Sequence, residues 1–429
     1  MLAILLALPA SPLAAQTPTL VDTATTARLT QLVGRNPTLE ARAAALRVAE
    51  ARAAAAGLAP AATLDAEVEE VPSGLNLLDA GSLRVGVSRE LLPSGARRAR
   101  RDVALQEVER ARLERDLAAR SLVARAAARL VESAAAGAVA RRLAAEDSLL
   151  VAAEAALTAR FSVGDARYVD VLRLRSERLR VQSDRARAVA EARVARRALL
   201  ALAHQAAAGE VDALIASESA ATTRTLPPSP DIDSLAASSG AVQLARAEVA
   251  RAQAARRLAR AARRPSVVAS LGLQRFEGET GHLIGPTVGA SVSLPFTARG
   301  ATRAATLVAD REVAAAEATE RAILARVHTE VATAADRYEA ARAQLALYDA
   351  ALLRAARDER EGALASYRAG DLTLVELLDF ERSLARAEID RLRSRTDAAD
   401  ALADLVASVA GIDEDEPDRP AARREGDDR

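Results

Sequence analysis

The chain has 429 residues, of which 50% are hydrophobic but only 2% are aromatic, with four Phe, four Tyr and no Trp. Buried aromatic rings, each covering about 150–250 Å², usually anchor large globular cores, so this composition argues against one or two compact enzyme domains. The 59 basic residues, all of them Arg, balance 59 acidic ones, whereas nucleic-acid-binding proteins carry a basic excess. Interleaved Ala, Arg, Glu and Leu indicate long helices and coiled coils.

The N-terminal residues 1–16 are apolar and end in small residues, which is the pattern of a secretory signal peptide. The stretch is shorter than the ~20 apolar residues that cross a bilayer. We therefore expect an exported protein. At the other end, residues 412–429 are rich in charge and predict a disordered tail.

Two stretches match closely enough to predict an internal two-fold sequence repeat, with copies at 17–208 and 240–411. In each copy an aromatic residue stands three positions before a Gly-Asp pair, and a carboxylate stands six positions after that Gly. The aromatic residues are Phe161 and Tyr367. A connector at 209–239, with Pro and Ser clusters, is expected to have little regular structure.

Each copy predicts the same order of elements: a helix, a β-hairpin, a long helix, a tip turn and a return helix. The first long helix, at about 1.5 Å per residue, would measure about 100 Å. The predicted ranges in the first copy are about 36–57, 60–92, 95–160, 161–167 and 168–208. In the second copy they are about 241–262, 265–296, 301–368, 369–372 and 373–410.

The predicted strands alternate apolar and polar residues, as in Leu83-Arg84-Val85-Gly86-Val87, so each has one apolar and one polar face. Four strands can neither bury such a face nor close a barrel, since membrane barrels begin at about eight strands. Pooling strands between two or three chains solves both problems. Closure also satisfies the strand edges, which lipid cannot do.

Over roughly residues 30–411 the chain resembles the outer membrane efflux protein family, the TolC-like channel-tunnels of Gram-negative bacteria. The resemblance rests on the two tip motifs and on the strand-to-helix corners at 91–98 and 294–300. The corners are most similar to the branch that serves heavy-metal exporters. The resemblance implies a mainly α fold with a small β part. Long antiparallel helices form a trimeric α-helical barrel, and each chain gives four strands to a twelve-stranded outer-membrane β-barrel.

The resemblance also implies function, partners and location. Such a homotrimer is embedded in outer membrane lipid and has a long periplasmic extension. It passively conducts substrates that are handed on by an inner-membrane pump, of RND type, and a periplasmic adaptor. No cofactor and no nucleic acid take part. The sequence leaves the transported substrate open, and metal ion, drug, dye and polypeptide are all compatible with it.

At each tip a long helix must reverse, and Gly164 and Gly370 permit the positive φ that such a turn demands. Asp165 and Asp371 are expected to cap the helices that follow. One interpretation is that these are turn residues only. The resemblance adds that the exposed tips receive the adaptor, and the residues implied in that contact are Arg160, Gly164, Asp165, Tyr367, Gly370 and Asp371.

Glu376 and Asp379 lie three residues apart and therefore on one face of the second return helix. By resemblance they line a periplasmic aperture, where three chains would set six acidic groups around one opening and attract cations. In the first copy Asp170 keeps the first position, whereas Arg173 takes the second and could tie neighbouring helices through a carboxylate. The alternative is a solvated helix face in a chain that is 28% charged.

The first predicted strand carries Asp65, Glu67 and Glu69 on one face. Carboxylates facing lipid are costly, so in a barrel this face must turn to the water-filled lumen. Against a membrane barrel stands the thin supply of boundary aromatic residues, because only Phe276 and Phe296 lie near the strands.

Catalysis finds no support in the sequence. Cysteine is absent, which excludes disulfides, thiolate zinc sites and a lipidated N-terminal Cys. His204, His282 and His328 share no ligand spacing, and no Gly-rich phosphate loop follows a strand. We therefore expect no catalytic, cofactor or metal site. Two non-enzymatic alternatives stay open: a periplasmic adaptor (membrane fusion) protein and a soluble coiled-coil scaffold.

Overall fold

The structure, a computed structural model, describes residues 21–69, 82–91, 94–204, 207–220, 227, 231–263, 266–278, 281–293 and 299–410. The predicted signal peptide, the charged tail and parts of the two strand-to-helix corners lie outside these residues. The chain divides into two compact units. The sheet unit comprises residues 42–115 and 243–323, and the helical unit comprises residues 1–41, 116–242 and 324–429.

The described part of the chain is mainly helical with a small β part, as predicted. In chain order the elements are α1 (Thr23–Val33), α2 (Pro37–Ala56), β1 (Thr63–Glu69), β2 (Ser82–Leu91), α3 (Ser94–Ser162), α4 (Tyr168–Leu202), α5 (Ala208–Ala220), α6 (Ile232–Ala237), α7 (Gly240–Ala261), β3 (Ser266–Gly278), β4 (Gly281–Ser293), α8 (Arg299–Leu347), a π-helical segment (Tyr348–Leu352), α9 (Leu353–Ala369) and α10 (Leu374–Ala410). The trimer, the twelve-stranded barrel and the internal repeat stay predictions.

The strands form one antiparallel sheet in the order β1-β2-β3-β4. Its register carries straight across, since Leu64 lies opposite Val87, Val87 opposite Leu271, and Leu271 opposite Val288. These side chains share one face and are 49–84% exposed. The next row on this face is also apolar and consists of Ala66, Val85, Leu273 and Pro286. These two rows therefore present an apolar band to solvent across all four strands, and Arg89 and Arg275 stand on the same face on either side of it.

The opposite face of the sheet is polar. Asp65 lies opposite Gly86, and Glu67 lies opposite Arg84, with 3.6 Å between the carboxylate oxygen and the guanidinium nitrogen. The alternation predicted strand by strand thus combines into a mainly apolar and a mainly polar face. Among the described strands, β1 and β4 are the outer ones, and each pairs on one side only.

The long helices follow the sequence prediction with one exception. α3 runs unbroken over 69 residues, and α4 follows from Tyr168. In the second copy the helix expected over 301–368 is interrupted by the π-helical segment, which separates α8 from α9. Asp349 in this segment accepts a hydrogen bond from the Arg391 guanidinium of α10. A single wide turn of this kind leaves no trace in a hydrophobic periodicity.

None of the helices in the described ranges is both long and apolar enough to cross a lipid bilayer.

The expectation of little regular structure in the connector was wrong, because residues 209–239 include most of α5 and all of α6. α5 buries Val211 and Leu214 at helical spacing. Its Glu218 accepts a hydrogen bond of 2.7 Å from Arg395 of α10, and only 3% and 12% of these two side chains are exposed. The Pro and Ser residues that favoured a loop lie between the two helices in sequence.

A further helix, α1, was not predicted. Asp22 caps it, since its carboxylate accepts a hydrogen bond of 2.6 Å from the backbone N–H of Thr25. Leu29 and Val33, four residues apart, are buried. The cap and the apolar spacing are both visible in the sequence, so this helix could have been inferred from it.

Apolar contacts among helices hold the helical unit together. One buried cluster joins Leu150 of α3 to Leu174 of α4 and Ile389 of α10. Tyr338 of α8 is fully buried, and its hydroxyl donates a hydrogen bond of 2.6 Å to the carbonyl of Pro227 in the connector. Burial raises the pKa of Tyr338 to about 12. The connector is therefore fixed to the helices by a satisfied polar contact as well as by α5 and α6.

Gly240 lies at a tightly packed position of the helical unit. A Cβ added there would lie 2.2 Å from the carbonyl oxygen of Ala410 and 2.4 Å from Cδ2 of Leu117, so backbone must move. We expect Gly240→Ala to cost about 1–3 kcal/mol through overpacking and to lower the apparent melting temperature of the detergent-solubilised chain.

The matched control is Gly362→Ala in α9, where an added Cβ meets nothing within 4 Å. Alanine has the higher helix propensity, so this variant should melt at the wild-type temperature or above it. A Gly240→Ala protein as stable as wild type would contradict the packing described.

Candidate functional site

The two predicted tips have the same backbone conformation. Gly164 and Gly370 are the positive-φ glycines of the described chain, with φ of 84° and 87°. At the first tip the Asp165 N–H bonds the Arg160 carbonyl at 2.8 Å, and at the second the Asp371 N–H bonds the Ser366 carbonyl at 2.9 Å. Together with the bond that each Gly N–H makes three residues back, these are Schellman turns. The predicted role of the two glycines agrees with this geometry.

The expectation that Asp165 caps the helix after the turn was wrong. Its carboxylate accepts a hydrogen bond of 2.9 Å from Nε of Arg160 in the preceding helix. α4 begins two residues later than such a cap requires, with Arg167 at the N-cap position and no side-chain cap hydrogen bond. The ion pair of Asp165 and Arg160 therefore links the turn to the helix that precedes it, α3.

At the second tip Thr373, and not Asp371, caps the following helix. The carboxylate of Glu376 accepts hydrogen bonds of 2.8 Å from both the N–H and the hydroxyl of Thr373. The N–H of Glu376 in turn donates to the Thr373 hydroxyl at 3.3 Å. This reciprocal arrangement is a capping box. The hydrogen bond from the backbone of Thr373 holds the pKa of Glu376 below its usual range.

The first tip replaces the capping box with an ion pair. Arg167 stands where the second copy has Thr373, and its guanidinium donates to Asp170 at 3.1 Å and 3.3 Å. Asp170 is thus the counterpart of Glu376 in position, and each carboxylate is engaged by the residue three before it.

The second pair of predicted aperture residues differs between the copies. Asp379 is exposed and accepts a hydrogen bond of 2.8 Å from Arg382, whose guanidinium also lies 3.8 Å from Glu177 of α4. Arg173 is exposed and has no hydrogen-bond or ion-pair partner in the described chain. The structure of one chain therefore brings Asp379 to a link between α10 and α4, and it leaves Arg173 available to a group outside the chain.

One ion pair in each hairpin was missed by the sequence analysis. Glu154 of α3 and Arg175 of α4 are 2.6 Å apart, and the hydrogen bond from Arg175 lowers the pKa of Glu154. Arg360 of α9 and Glu381 of α10 are 2.7 Å apart. Each pair joins a residue ten before the tip glycine to one eleven after it, with the charges exchanged. Superposing the two copies on their glycines would have revealed this correspondence.

The surfaces of the two tips differ in polarity. At the first tip the rings of Phe161 and Tyr168 pack with centroids 5.4 Å apart, and both residues stay exposed. Val163 between them is 78% exposed. At the second tip Tyr367 is half-buried. The first tip therefore offers the larger apolar surface.

The strand carboxylates occupy the polar face of the sheet. Asp65 and Glu67 are exposed there, and Glu69 follows at the next odd position of β1, where its backbone pairs with Ser82. The lumen-facing role of these carboxylates stays a prediction, because a lumen needs more than one chain.

The histidines do not converge on a site. His328 lies 3.0 Å from a carboxylate oxygen of Asp233 on α6, His204 is half-buried, and the side chain of His282 is outside the described set. Within the described residues no group of three or more His, Cys, Asp or Glu side chains could hold a metal ion.

Residues 232–411 match the model of the outer membrane efflux protein family. The match spans α6 to the end of α10, so it includes the second tip and the capping box at Thr373. The C-terminal part of the chain is an outer membrane efflux protein domain. The resemblance inferred from the sequence is therefore confirmed, as is the function inferred from it, a channel component of a tripartite efflux system in the outer membrane.

Solved structures of membrane proteins have the same fold as this chain. A membrane protein from Pseudomonas aeruginosa matches with a TM-score of 0.68 and 19% identity, over 91% of this chain and 90% of its own. VceC of Vibrio cholerae matches with a TM-score of 0.67 and 18% identity, over 90% and 96% of the two chains. The open state of the Neisseria gonorrhoeae MtrE channel matches with a TM-score of 0.68 and 20% identity, over 90% and 89%. No curated protein gives a significant match.

The capping box yields a prediction about the second tip. Thr373→Ala removes a side-chain cap and should cost about 0.5–2 kcal/mol, which we expect to see as lower hydrogen-exchange protection in the first turns of α10. Thr329→Ala, in the middle of α8, removes a hydroxyl that bonds only the carbonyl four residues back and serves as the control.

The same box predicts a pH dependence. Because the folded-state pKa of Glu376 is lowered, its contribution is present above the ordinary glutamate range and is lost as the pH falls through the folded pKa. Protection of the first turns of α10 should drop on acidification in wild type and change less in Glu376→Gln, which has no carboxyl group to titrate. Equal protection in both proteins at every pH would contradict the capping box.

Proposed function

We propose that three copies of this chain assemble around one axis, and that each gives its four strands to a single twelve-stranded barrel in the outer membrane. The observation that carries the proposal is the sheet with an exposed apolar band across all four strands and an outer strand open on each side. A sheet of this kind is stable in lipid only when its edges are paired. Three copies pair every edge and leave the apolar face to the lipid.

The polar face of the sheet then lines a water-filled lumen. Asp65 and Glu67 lie on that face, and the Arg84 guanidinium near Glu67 reduces the local charge. Carboxylates are tolerated there because they remain hydrated, whereas the two central rows of the opposite face, through Leu64 and Ala66, contain only apolar residues. Substrates would cross passively through this lumen.

We infer that the tips meet a periplasmic adaptor, which links the channel to an inner-membrane pump of RND type. Both tips are solvent-exposed, and both have the same rigid Schellman turn, which gives the adaptor two similar surfaces per chain. The residues proposed for this contact are Arg160, Gly164, Asp165, Tyr367, Gly370 and Asp371. The transported substrate stays open, and a heavy-metal ion is one candidate.

We further propose that Glu376 and Asp379 line the periplasmic aperture, with Asp170 and Arg173 at the corresponding positions of α4. Three chains would place six carboxylates from α10 around the opening. The capping box supports a fixed position for Glu376 and keeps its carboxylate ionised at neutral pH. Such a ring attracts cations and resists anions.

The two alternatives explain fewer of the observations. A periplasmic adaptor would carry a single helical hairpin, whereas this chain has a tip at Gly164 and another at Gly370. A soluble coiled-coil scaffold would account for the helices but not for a sheet whose apolar rows are exposed from edge to edge.

The aperture can be tested by neutralising it without breaking the cap. In Glu376→Gln with Asp379→Asn, glutamine still fits a capping box, but the proposed ring loses its six charges. We expect planar-bilayer recordings to show higher conductance and weaker cation selectivity than wild type.

The control is Asp358→Asn with Glu361→Gln, two exposed carboxylates three residues apart on α9 that have no partner within the described chain. This pair should leave conductance and selectivity unchanged. If both double variants behave like wild type, the aperture role is wrong. If purified wild type is monomeric and forms no channel, the assembly itself is wrong.

A further inference from the structure

We propose that a set of arginines where the sheet meets the helices binds the phosphate groups of anionic phospholipids in the periplasmic leaflet of the outer membrane. These junction arginines are Arg97, Arg98, Arg100 and Arg101 in the first turns of α3 and Arg303 in the first turns of α8. The inference rests on the proposed barrel, because the barrel is what brings this junction to a lipid surface.

The junction arginines have no hydrogen-bond or ion-pair partner within the chain as described. Four of them are exposed and Arg97 is half-buried. Neighbouring arginines at the end of α7 are engaged, since Arg260 lies 3.1 Å from Asp310 and Arg263 donates to Thr306 at 3.0 Å. Arg260 thus has an acidic partner and Arg263 a hydroxyl partner, whereas the five junction arginines are left for a group outside the chain.

The junction arginines of α3 lie at the positive end of the helix dipole, which is unfavourable for positive charge. The first turn of α3 contains no acidic residue, although the N-terminus of a helix is its positive end and disfavours cations. Four of the first eight residues of α3 are arginines, and their charges destabilise this helix terminus. Acidic residues at the same positions would stabilise it. No acidic group of the described chain pairs with these arginines. An unfavourable local arrangement of this kind is typical of a functional site.

The depth of these residues matches a headgroup layer. The apolar face of the sheet reaches its helix end at Leu91 and Val292, both about half exposed. α3 starts at Ser94, and at ~1.5 Å per residue the Cα atoms of the α3 arginines lie about 5–11 Å into the helix. Helical side chains lean toward the N-terminus, which here means toward the sheet. The headgroup region is about 5–8 Å thick on each side of the hydrocarbon core.

The chemistry favours a phosphate-bearing, anionic lipid. Guanidinium groups bind phosphate oxygens in pairs and keep their charge at any physiological pH. The first turns of α3 carry four positive charges and one negative charge, at Asp102, so a zwitterionic headgroup would leave them unbalanced. The chain has no Trp and only Phe276 and Phe296 near its strands. The arginines would supply the boundary anchor that aromatic side chains usually provide.

The test uses the full-length protein, purified in detergent and stripped of lipid. Phosphatidylglycerol and phosphatidylcholine with identical acyl chains are added, and bound lipid is counted by native mass spectrometry. One variant changes Arg97, Arg98, Arg100 and Arg101 to Gln. The control variant makes the same four-charge change on α8 and α9, at Arg321, Arg337, Arg354 and Arg357, which are exposed and have no partner in the described residues.

We expect wild type and the control to prefer phosphatidylglycerol at least tenfold, because each arginine near an anionic surface contributes about fivefold in affinity. The junction variant should lose most of this preference. In wild type the preference should also weaken as salt rises from about 0.05 M to 0.5 M. This salt series tests the proposal even if the junction variant fails to fold.

Three results would overturn the inference. One is equal binding of the two lipids by wild type, and another is an unchanged preference in the junction variant. The third is displacement of bound phosphatidylglycerol by millimolar inorganic phosphate, which would mark a site for the free ion. Trimer mass and bilayer conductance are measured on the same samples. A conducting trimer without lipid preference contradicts only the junction site, whereas a monomer without conductance contradicts the proposed barrel and this inference with it.

Discussion

In the isolated chain one face of the sheet exposes apolar side chains to water. Most of the assembly proposed here follows from the need to cover that surface. The two rows through Leu64 and Ala66 run across all four strands without a polar interruption. Burying each square ångström of such a surface yields roughly 25 cal/mol, and no helix of the described chain covers these rows, since their side chains remain exposed. The sheet is therefore complementary to lipid on one face, to water on the other and to another strand at each edge.

The two predicted copies have the same turn geometry at their tips but different side-chain chemistry. Both tips reverse through a left-handed glycine, but the cap at Thr373 and Glu376 becomes an ion pair between Arg167 and Asp170. The ion pair that fastens each hairpin has its charges exchanged between the copies. The family match covers the second copy, where the cap and the carboxylate pair at Glu376 and Asp379 are both present. A divergence of this kind would let one chain present two unlike surfaces at successive positions around a ring.

Elements with strong periodicity could be predicted from the sequence, and local exceptions could not. The four alternating strands, the unbroken α3 and the two glycine turns follow from side-chain spacing alone. The helices of the connector were missed because Pro and Ser near residue 228 outweighed the buried spacing of Val211 and Leu214. The role of Asp165 was wrong because Arg160, five residues earlier, competes for its carboxylate across the turn. The π-helical segment depends on contacts with α10 that a sequence pattern does not encode.

Pairing between β1 of one copy and β4 of the next is the central claim, and disulfide trapping tests it most directly. The native chain has no cysteine, so Leu64→Cys can be combined in turn with Cys at Ile284, Val288 or Val292. Within one chain β1 and β4 are three strand spacings apart, about 14 Å, which is too far for a disulfide, whose Cα atoms lie within about 7 Å. The account predicts a covalent trimer in outer-membrane fractions for at least one combination. Monomers alone, in every combination and under oxidising conditions, would contradict it.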